Sequence, residues 1–274
     1  MFAKILNDVG RSCPLVHCIT NCVTVNDCAN VLLACGASPV MADDEREAEE
    51  ITSIASSLVI NIGTLNSRTI PSMFRAGRKA NELGLPVILD PVGAGASQLR
   101  TLTAMHLMRE IDFAVIRGNI SEITAIAGGK CGTRGVDASD PGVLMGDLPA
   151  SVSSLINDLR ENTGAVITVT GPKDIVSGEN VMYVIKNGHP MMSKVSGTGC
   201  MLTALTGAFC AADPSDPAAA AASAAAMFGV AGELAFDRLT KAGGGTSTYR
   251  SYIIDEVGKM TPEKMREAVK IEIR

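Results

Sequence analysis

The chain has 274 residues, a formal net charge of −5 and 46% hydrophobic residues, enough apolar material for a sizeable core. Its charges form no basic patch or acidic tail, which excludes nucleic acid as an expected partner. With three Tyr, six Phe and no Trp, the core must be filled by Ala, Val, Ile, Leu and Met, a composition that suits parallel strands packed under helices.

The first turns contain Lys4, Asn7 and Asp8 and lack the apolar stretch of a signal peptide, so a soluble cytoplasmic protein is expected. Of eight cysteines, five fall early, at Cys13, Cys18, Cys22, Cys28 and Cys35. None of these five forms a Cys-x-x-Cys pair, and His17 beside Cys18 fits no standard zinc spacing. They are expected to be reduced and to pack as small apolar residues.

Residues 14–19 read as a strand and 25–35 as a helix closed by Gly36. Short strands follow at 39–42, 58–62, 86–89 and 113–116, separated by helical patterns at 45–56, 67–83, 99–109 and 121–127. Apolar strands of four to six residues alternating with longer helices indicate βαβ units and a parallel sheet. The segment 130–146, rich in Gly, Asp and Ser, is a candidate surface loop or flap. Beyond it, strands at 165–170, 174–177 and 181–186 lie close together with turn residues between them, the pattern of an antiparallel edge. The C-terminal third is helical. Asp216 and Pro217 supply an N-cap and a first-turn proline for a helix through an Ala-rich tract. The apolar run 217–232 is broken by Gly229 and Gly232 and soon meets Glu233, so it reads as too short and too weakly apolar to span a membrane. The expectation is one three-layer α/β domain over residues 1–274, with a mostly parallel central sheet, an antiparallel edge and helices on both faces.

In open parallel sheets, ligands bind beyond the carboxyl ends of the strands. The strand at 86–89 leads into Asp90-Pro-Val-Gly-Ala-Gly95, a carboxylate before a Gly-rich turn. The strand at 113–116 leads into Arg117-Gly-Asn119, with Glu122 opening the next helix, and the strand at 165–170 ends in Thr170. Each residue has an ordinary explanation alone, as a turn cap, a surface ion pair or a helix-start preference. Together they put two carboxylates, an Arg and a Thr at one edge. Mg²⁺ favours one or two carboxylates with waters and phosphates, and Arg is a planar bidentate donor to phosphate.

A further anion site is expected at Ser196-Gly197-Thr198-Gly199-Cys200, which opens a helix-like run. Backbone N–H groups of Gly197, Thr198 and Gly199, with the positive end of the helix dipole, suit a phosphoryl group in transfer. A plain loop with a buried Cys fits the pentapeptide equally well. Other phosphate and nucleophile motifs are absent: no Gly-x4-Gly-Lys-Ser/Thr, no third Gly after Gly93-Ala-Gly95, and three His without a Gly-x-Ser-x-Gly.

Asp90-Pro-Val-Gly, Arg117-Gly-Asn-x-Ser-Glu122 and Gly197-Thr-Gly-Cys200, in this order, resemble the ribokinase-like superfamily, and within it most of all the hydroxyethylthiazole kinases. The opening His17-Cys-Ile-Thr-Asn21-x-Val-x-x-Asn26-x-x-Ala-Asn30 and Pro39-Val-Met-Ala42 are similar to that family too, so the resemblance covers essentially the whole chain. It implies a three-layer ribokinase-like fold. It also implies transfer of the ATP γ-phosphoryl group to the primary hydroxyl of 4-methyl-5-(2-hydroxyethyl)thiazole, in thiamine biosynthesis or salvage.

Carried over by motif, Met41 and Gly197 would contact the thiazole, with Asn26 a further candidate. Arg117 and Thr170 would contact ATP, Asp90 and Glu122 would organise Mg²⁺, and Cys200 would sit at the reacting hydroxyl. The resemblance also implies a homotrimer. One departure from the wider superfamily matters: the loop usually ends in an Asp base, where this chain has Cys200. Phosphoryl transfer with a loose transition state needs little early deprotonation, so Cys200 is expected to be a weak base and mainly a positioning group. The remaining alternatives are a related kinase of hydroxymethylpyrimidine or pyridoxal, and an ATP- or ADP-dependent dehydratase of hydrated nicotinamide cofactors, which generally carries Asp at that position. A non-catalytic nucleotide or thiazole sensor is a third.

Overall fold

In the computed structural model, which describes residues 1–128 and 150–274, a single sheet organises the chain. Its first half runs α1 (Phe2–Ser12), β1 (Leu15–Ile19), α2 (Val25–Cys35), β2 (Ser38–Val40), α3 (Ala48–Ile54), β3 (Ser57–Asn61), α4 (Thr69–Glu82), β4 (Val87–Asp90), α5 (Gln98–Glu110), β5 (Val115–Asn119) and α6 (Ile120–Ile126). The second half runs α7 (Ala150–Thr163), β6 (Val166–Thr170), β7 (Asp174–Ser177), β8 (Met182–Ile185), α8 (Thr198–Ala212), α9 (Pro217–Ala242), α10 (Thr246–Gly258), α11 (Pro262–Ala268) and β9 (Ile271–Ile273), with a 3₁₀ turn at Pro190–Lys194 before α8. The strand order is β2-β1-β3-β4-β5-β6-β7-β8-β9. Pairs from β2 through β6 are parallel, and those from β6 to β9 are antiparallel. The α/β architecture and the antiparallel edge are therefore as the sequence predicts.

The alternation of strand side chains between two faces explains how the layers form. Val16, Val59, Ile88, Val115 and Val166 enter one core, beneath α1, α2, α8, α9 and α10. Their neighbours Ile19, Leu58, Ile60, Val87, Leu89, Ile116 and Ile167 enter the other, beneath α3 to α7. Helix α8 approaches the first face closely. A Cβ on Gly207 would stand 2.6 Å from a methyl of Val59 and 3.2 Å from one of Val16. Its glycine is thus what seats α8 against the strands.

Some boundaries differ from the sequence reading, and the differences matter for the site. Strand β4 includes Asp90, and β5 extends through Arg117 to Asn119, because cross-strand pairing with β3 and β6 carries the ladder past the apolar residues. Helices α1 and α7 and strand β9 were not expected. Helix α9 is long and apolar enough to cross a membrane by length and composition, contrary to the sequence reading, but 83% of its apolar window is buried inside the fold. Asp216 caps it through Ala219 N–H, with Pro217 in the first turn, as expected. The candidate flap at 130–146 lies outside the described residues.

Of the early cysteines, Cys18, Cys28 and Cys35 are buried in the core, whereas Cys13 and Cys22 are exposed. His17 is also buried, held by Thr52 Oγ1 at 2.9 Å and by the Ala42 carbonyl at 2.8 Å. It is thereby committed to the loop after β2.

Candidate active site

The period-two alternation selects the site. Asn61, Asp90, Arg117 and Thr170 each lie two or four residues beyond a residue of the first core, Val59, Ile88, Val115 and Val166. They therefore project from four adjacent strands toward the N-terminal end of α8. The structure brings Asp90, Arg117, Thr170, Glu122, Gly199 and Cys200 together there, as the sequence predicts.

Asp90 is wholly buried. Its Oδ2 accepts from Thr203 Oγ1 at 2.7 Å and Asn61 Nδ2 at 2.9 Å, and lies 3.5 Å from Arg117 Nη1. Its Oδ1 is buried without a hydrogen-bond partner. Arg117, 8% exposed, donates from Nη2 to Thr170 Oγ1 at 2.7 Å, while its Nε has no partner. Glu122 forms a capping box with Asn119, its Oε2 accepting from Asn119 N–H at 2.9 Å. Its Oε1 accepts from Gly93 N–H at 2.8 Å, which ties the Gly-rich turn after β4 to the start of α6. Burial pushes the carboxyl of Asp90 above its ordinary range against the pull of Arg117; Glu122 is pushed up by burial and then by the charge of Asp90. Two buried carboxylates, with one oxygen unpartnered, are a donor set that fits a divalent cation carrying waters and phosphate oxygens.

Opposite them, Gly197 is the N-cap of α8 at φ 91°, a left-handed conformation that glycine adopts freely. A Cβ there would also stand 2.5 Å from Thr24 Cγ2. Gly199 has a second constraint: its Cβ would lie 2.7 Å from Arg117 Nη1. Met201 N–H bonds back to Gly197 O, so the unpaired first turn is formed by the N–H groups of Thr198, Gly199 and Cys200. This is one residue beyond the expected set of Gly197, Thr198 and Gly199, because Gly197 is the N-cap. Cys200 is half-buried in that turn. Burial and then Asp90 push its thiol above the ordinary cysteine value.

Met41 follows β2 directly and packs partly buried against the first core. Asn26 is not drawn into this cluster. It is exposed on α2, where its Oδ1 accepts from Asn30 Nδ2 at 3.0 Å. Conversely, three residues that the sequence reading did not single out for the site stand inside it: Asn21, Asn61 and Thr203. In sequence Asn61 reads as an internal residue of the strand expected at 58–62, although the strand-end rule finds it once β3 stops at that residue. Thr203 is one turn beyond Gly199 and reads as an unremarked helix residue.

The family model described as hydroxyethylthiazole kinase family matches residues 6–263. A hydroxyethylthiazole kinase of Clostridium acetobutylicum is 52% identical over 272 residues, which is 99% of each chain. One of Desulfovibrio desulfuricans is 48% identical, covering 93% of this chain and 92% of the relative. Among solved structures, the hydroxyethylthiazole kinase protein of Pyrococcus horikoshii OT3 superposes with a TM-score of 0.86 at 36% identity, covering 100% of this chain and 98% of that one. The pyridoxal kinase of Staphylococcus aureus, in complex with AMP-PCP and pyridoxal, shares the fold at a TM-score of 0.63 and 13% identity, with 95% and 97% coverage.

Proposed function

The chain belongs to the hydroxyethylthiazole kinase family, and on that premise we propose that it transfers the γ-phosphoryl group of ATP to the primary hydroxyl of 4-methyl-5-(2-hydroxyethyl)thiazole, with Mg²⁺, in thiamine biosynthesis or salvage. The observation that carries this reading is the convergence of Asp90, Arg117, Thr170 and the first turn of α8 on one strand-end cleft.

The residues divide the work by charge. Arg117 and Thr170 hold phosphate oxygens of ATP, and the N–H groups of Thr198, Gly199 and Cys200 face the γ-phosphoryl group as its charge redistributes. Asp90, through its unpartnered Oδ1, and Glu122 would hold Mg²⁺, which would supply positive charge against the phosphate oxygens of ATP. Glu122 also fixes the turn at Gly93, so it contributes geometry as well as charge. Gly197 and Met41 border the thiazole.

Cys200 stands at the acceptor hydroxyl. A thiol pushed upward by burial and by Asp90 is neutral near pH 7, a poor proton acceptor. Its role is to place the hydroxyl in line, which a loose transition state rewards more than strong basicity. Asn26 is the weakest of the proposed thiazole contacts, because its side chain is turned to Asn30. A single domain over residues 1–274 and a homotrimer complete the proposal, both read by limited proteolysis and light scattering.

The deciding experiment combines purified protein, the thiazole alcohol, ATP and Mg²⁺, with the product identified by mass spectrometry. A phosphorylated thiazole and stoichiometric ADP are expected. No phosphorylated thiazole at millimolar substrate would refute the reading.

A further inference from the structure

The side-chain amides of Asn21 and Asn61 close a hydrogen-bonded triangle with the sulfur of Cys200. Asn21 Nδ2 donates to Cys200 Sγ at 3.1 Å and to Asn61 Oδ1 at 3.1 Å. Asn61 Nδ2 donates to the same sulfur at 3.3 Å and to Asp90 Oδ2 at 2.9 Å. The orientation of both amides is fixed by backbone donors. Thr24 N–H donates to Asn21 Oδ1 at 3.1 Å, joined by Thr24 Oγ1 at 3.0 Å, and Gly63 N–H donates to Asn61 Oδ1 at 2.9 Å. An N–H can only donate, so each amide oxygen faces its backbone partner and each NH₂ faces the sulfur.

Every amide hydrogen and oxygen in the triangle is thus used, in a buried setting where a half-satisfied network would be costly. Gly63 leaves the room for it, since a Cβ there would stand 3.0 Å from both Asn21 Cβ and Asn61 Oδ1. With two donors converging on it, the sulfur is held as an acceptor. Its lone pairs are engaged on the amide side, and its own hydrogen is left to point elsewhere.

We infer that Asn21 and Asn61 are positioning residues for phosphoryl transfer: an amide clamp that fixes the sulfur of Cys200 and, through Asn61, locks it in register with Asp90. The inference rests on the reading that Cys200 stands at the acceptor hydroxyl. The clamp spans two strand ends and a helix turn, so it sets the distance between the acceptor end of the site and the carboxylate end. Asn61 touches both ends directly; Asn21 bonds the sulfur and reaches the carboxylate end only through Asn61, which makes Asn21 the cleaner probe.

A double-mutant cycle tests this, using wild type, Asn21→Leu, Cys200→Ala and the double variant, with kcat and KM measured for both substrates. Asn21→Leu keeps the branched shape but removes the donors, and with them the acceptor of Thr24, and should lower kcat about 5- to 10-fold, the worth of one or two neutral hydrogen bonds. KM for ATP should stay unchanged. In the Cys200→Ala background the same substitution should have no further effect on kcat, because its target is gone.

Multiplicative losses in the double variant, or a wild-type kcat in Asn21→Leu beside a slow Cys200→Ala, would overturn the clamp while leaving the role of Cys200 standing. A wild-type kcat in Cys200→Ala would overturn the role of Cys200 itself, and the clamp with it. If Asn21→Leu does not fold by circular dichroism, the isosteric Asn21→Asp replaces it in the cycle. It keeps an oxygen for Thr24 and removes the donors, so the same outcomes decide.

Discussion

The two faces of this sheet are built from alternate residues of the same strands, yet they do different work. On the face under α3 to α7, Met73, Leu107, Ile123 and Ile156 fill the layer together with Ala76, Ala80 and Ala104. On the face under α8 and α9, Gly207 seats α8 directly on Val16 and Val59. Close approach brings the first turn of α8 against the strand ends, where Thr203 reaches Asp90 and Gly199 lies on Arg117. The difference teaches that a small residue here is a means of placing side chains, because a bulkier helix could not bring Thr203 to Asp90 or Gly199 against Arg117.

The sharpest way to test the chemistry of that face is Asp90→Asn. It preserves shape but removes the charge, and kcat should fall about 10³-fold or more, the scale of losing a transition-state charge contact. Steady-state kinetics that found less than a tenfold loss would break the assignment of Asp90. Next in size, a matched pair of glycines compares the faces directly. Gly207→Ala on α8 and Gly77→Ala on α4 both add a methyl in tight space, against Val59 and Ile111 respectively. Each should cost about 1–3 kcal/mol of stability by overpacking. Only Gly207→Ala should also lower kcat, by about tenfold or more, because displacement of α8 misplaces its first turn. Equal kcat for the two variants, measured after matching their Tm values to wild type, would erase the distinction.

Cys200→Ala should be milder than Asp90→Asn, about tenfold in kcat, and Cys200→Asp should keep activity. A Cys200→Ala variant as inactive as Asp90→Asn would show that the thiol does more than position the hydroxyl. The smallest effect belongs to the antiparallel edge, which neither helical face dominates. Burial pushes Asp174 up to about 6, above the ordinary 3.8, although Gly171 N–H and Arg117 pull the other way. A raised carboxyl favours the folded state while protonated, and that advantage is lost as pH rises through about 6. Asp174→Asn should therefore raise Tm over wild type little below pH 4 and increasingly up to pH 7 or 8. A Tm gain of the same size at pH 4 and pH 7.5 would remove burial as its cause.

Much of this was legible because strand ends announce themselves in sequence. Asp90, Arg117 and Thr170 each follow an apolar run, and Gly197 to Cys200 precede a helical one, so the cluster could be assembled from the sheet rule alone. Helix α2 was legible to the residue, since Gly36 at φ 90° is a strong stop. What was not legible depended on contacts between distant segments. The second role of Glu122, holding Gly93, cannot be read from a residue whose local pattern is already a capping box. Asn61 looked like one more member of an apolar strand, and only its neighbours Asn21, Asp90 and Cys200 show what it does. Helix α1 begins without a side-chain cap, which left its start without a sequence signal.

The bond between Asn21 and Cys200 joins residues 179 positions apart, and that from Asn61 to the same sulfur spans 139. Contacts of such separation form late, because the loops they close must first surrender their freedom. The βαβ units from β1 to β5 can gather locally, but the cluster around Cys200 exists only when α8 has returned across the sheet to meet them. In refolding, recovery of turnover should therefore trail the return of helix and strand signals. The catalytic competence of this chain is a report that its two most distant thirds have found each other.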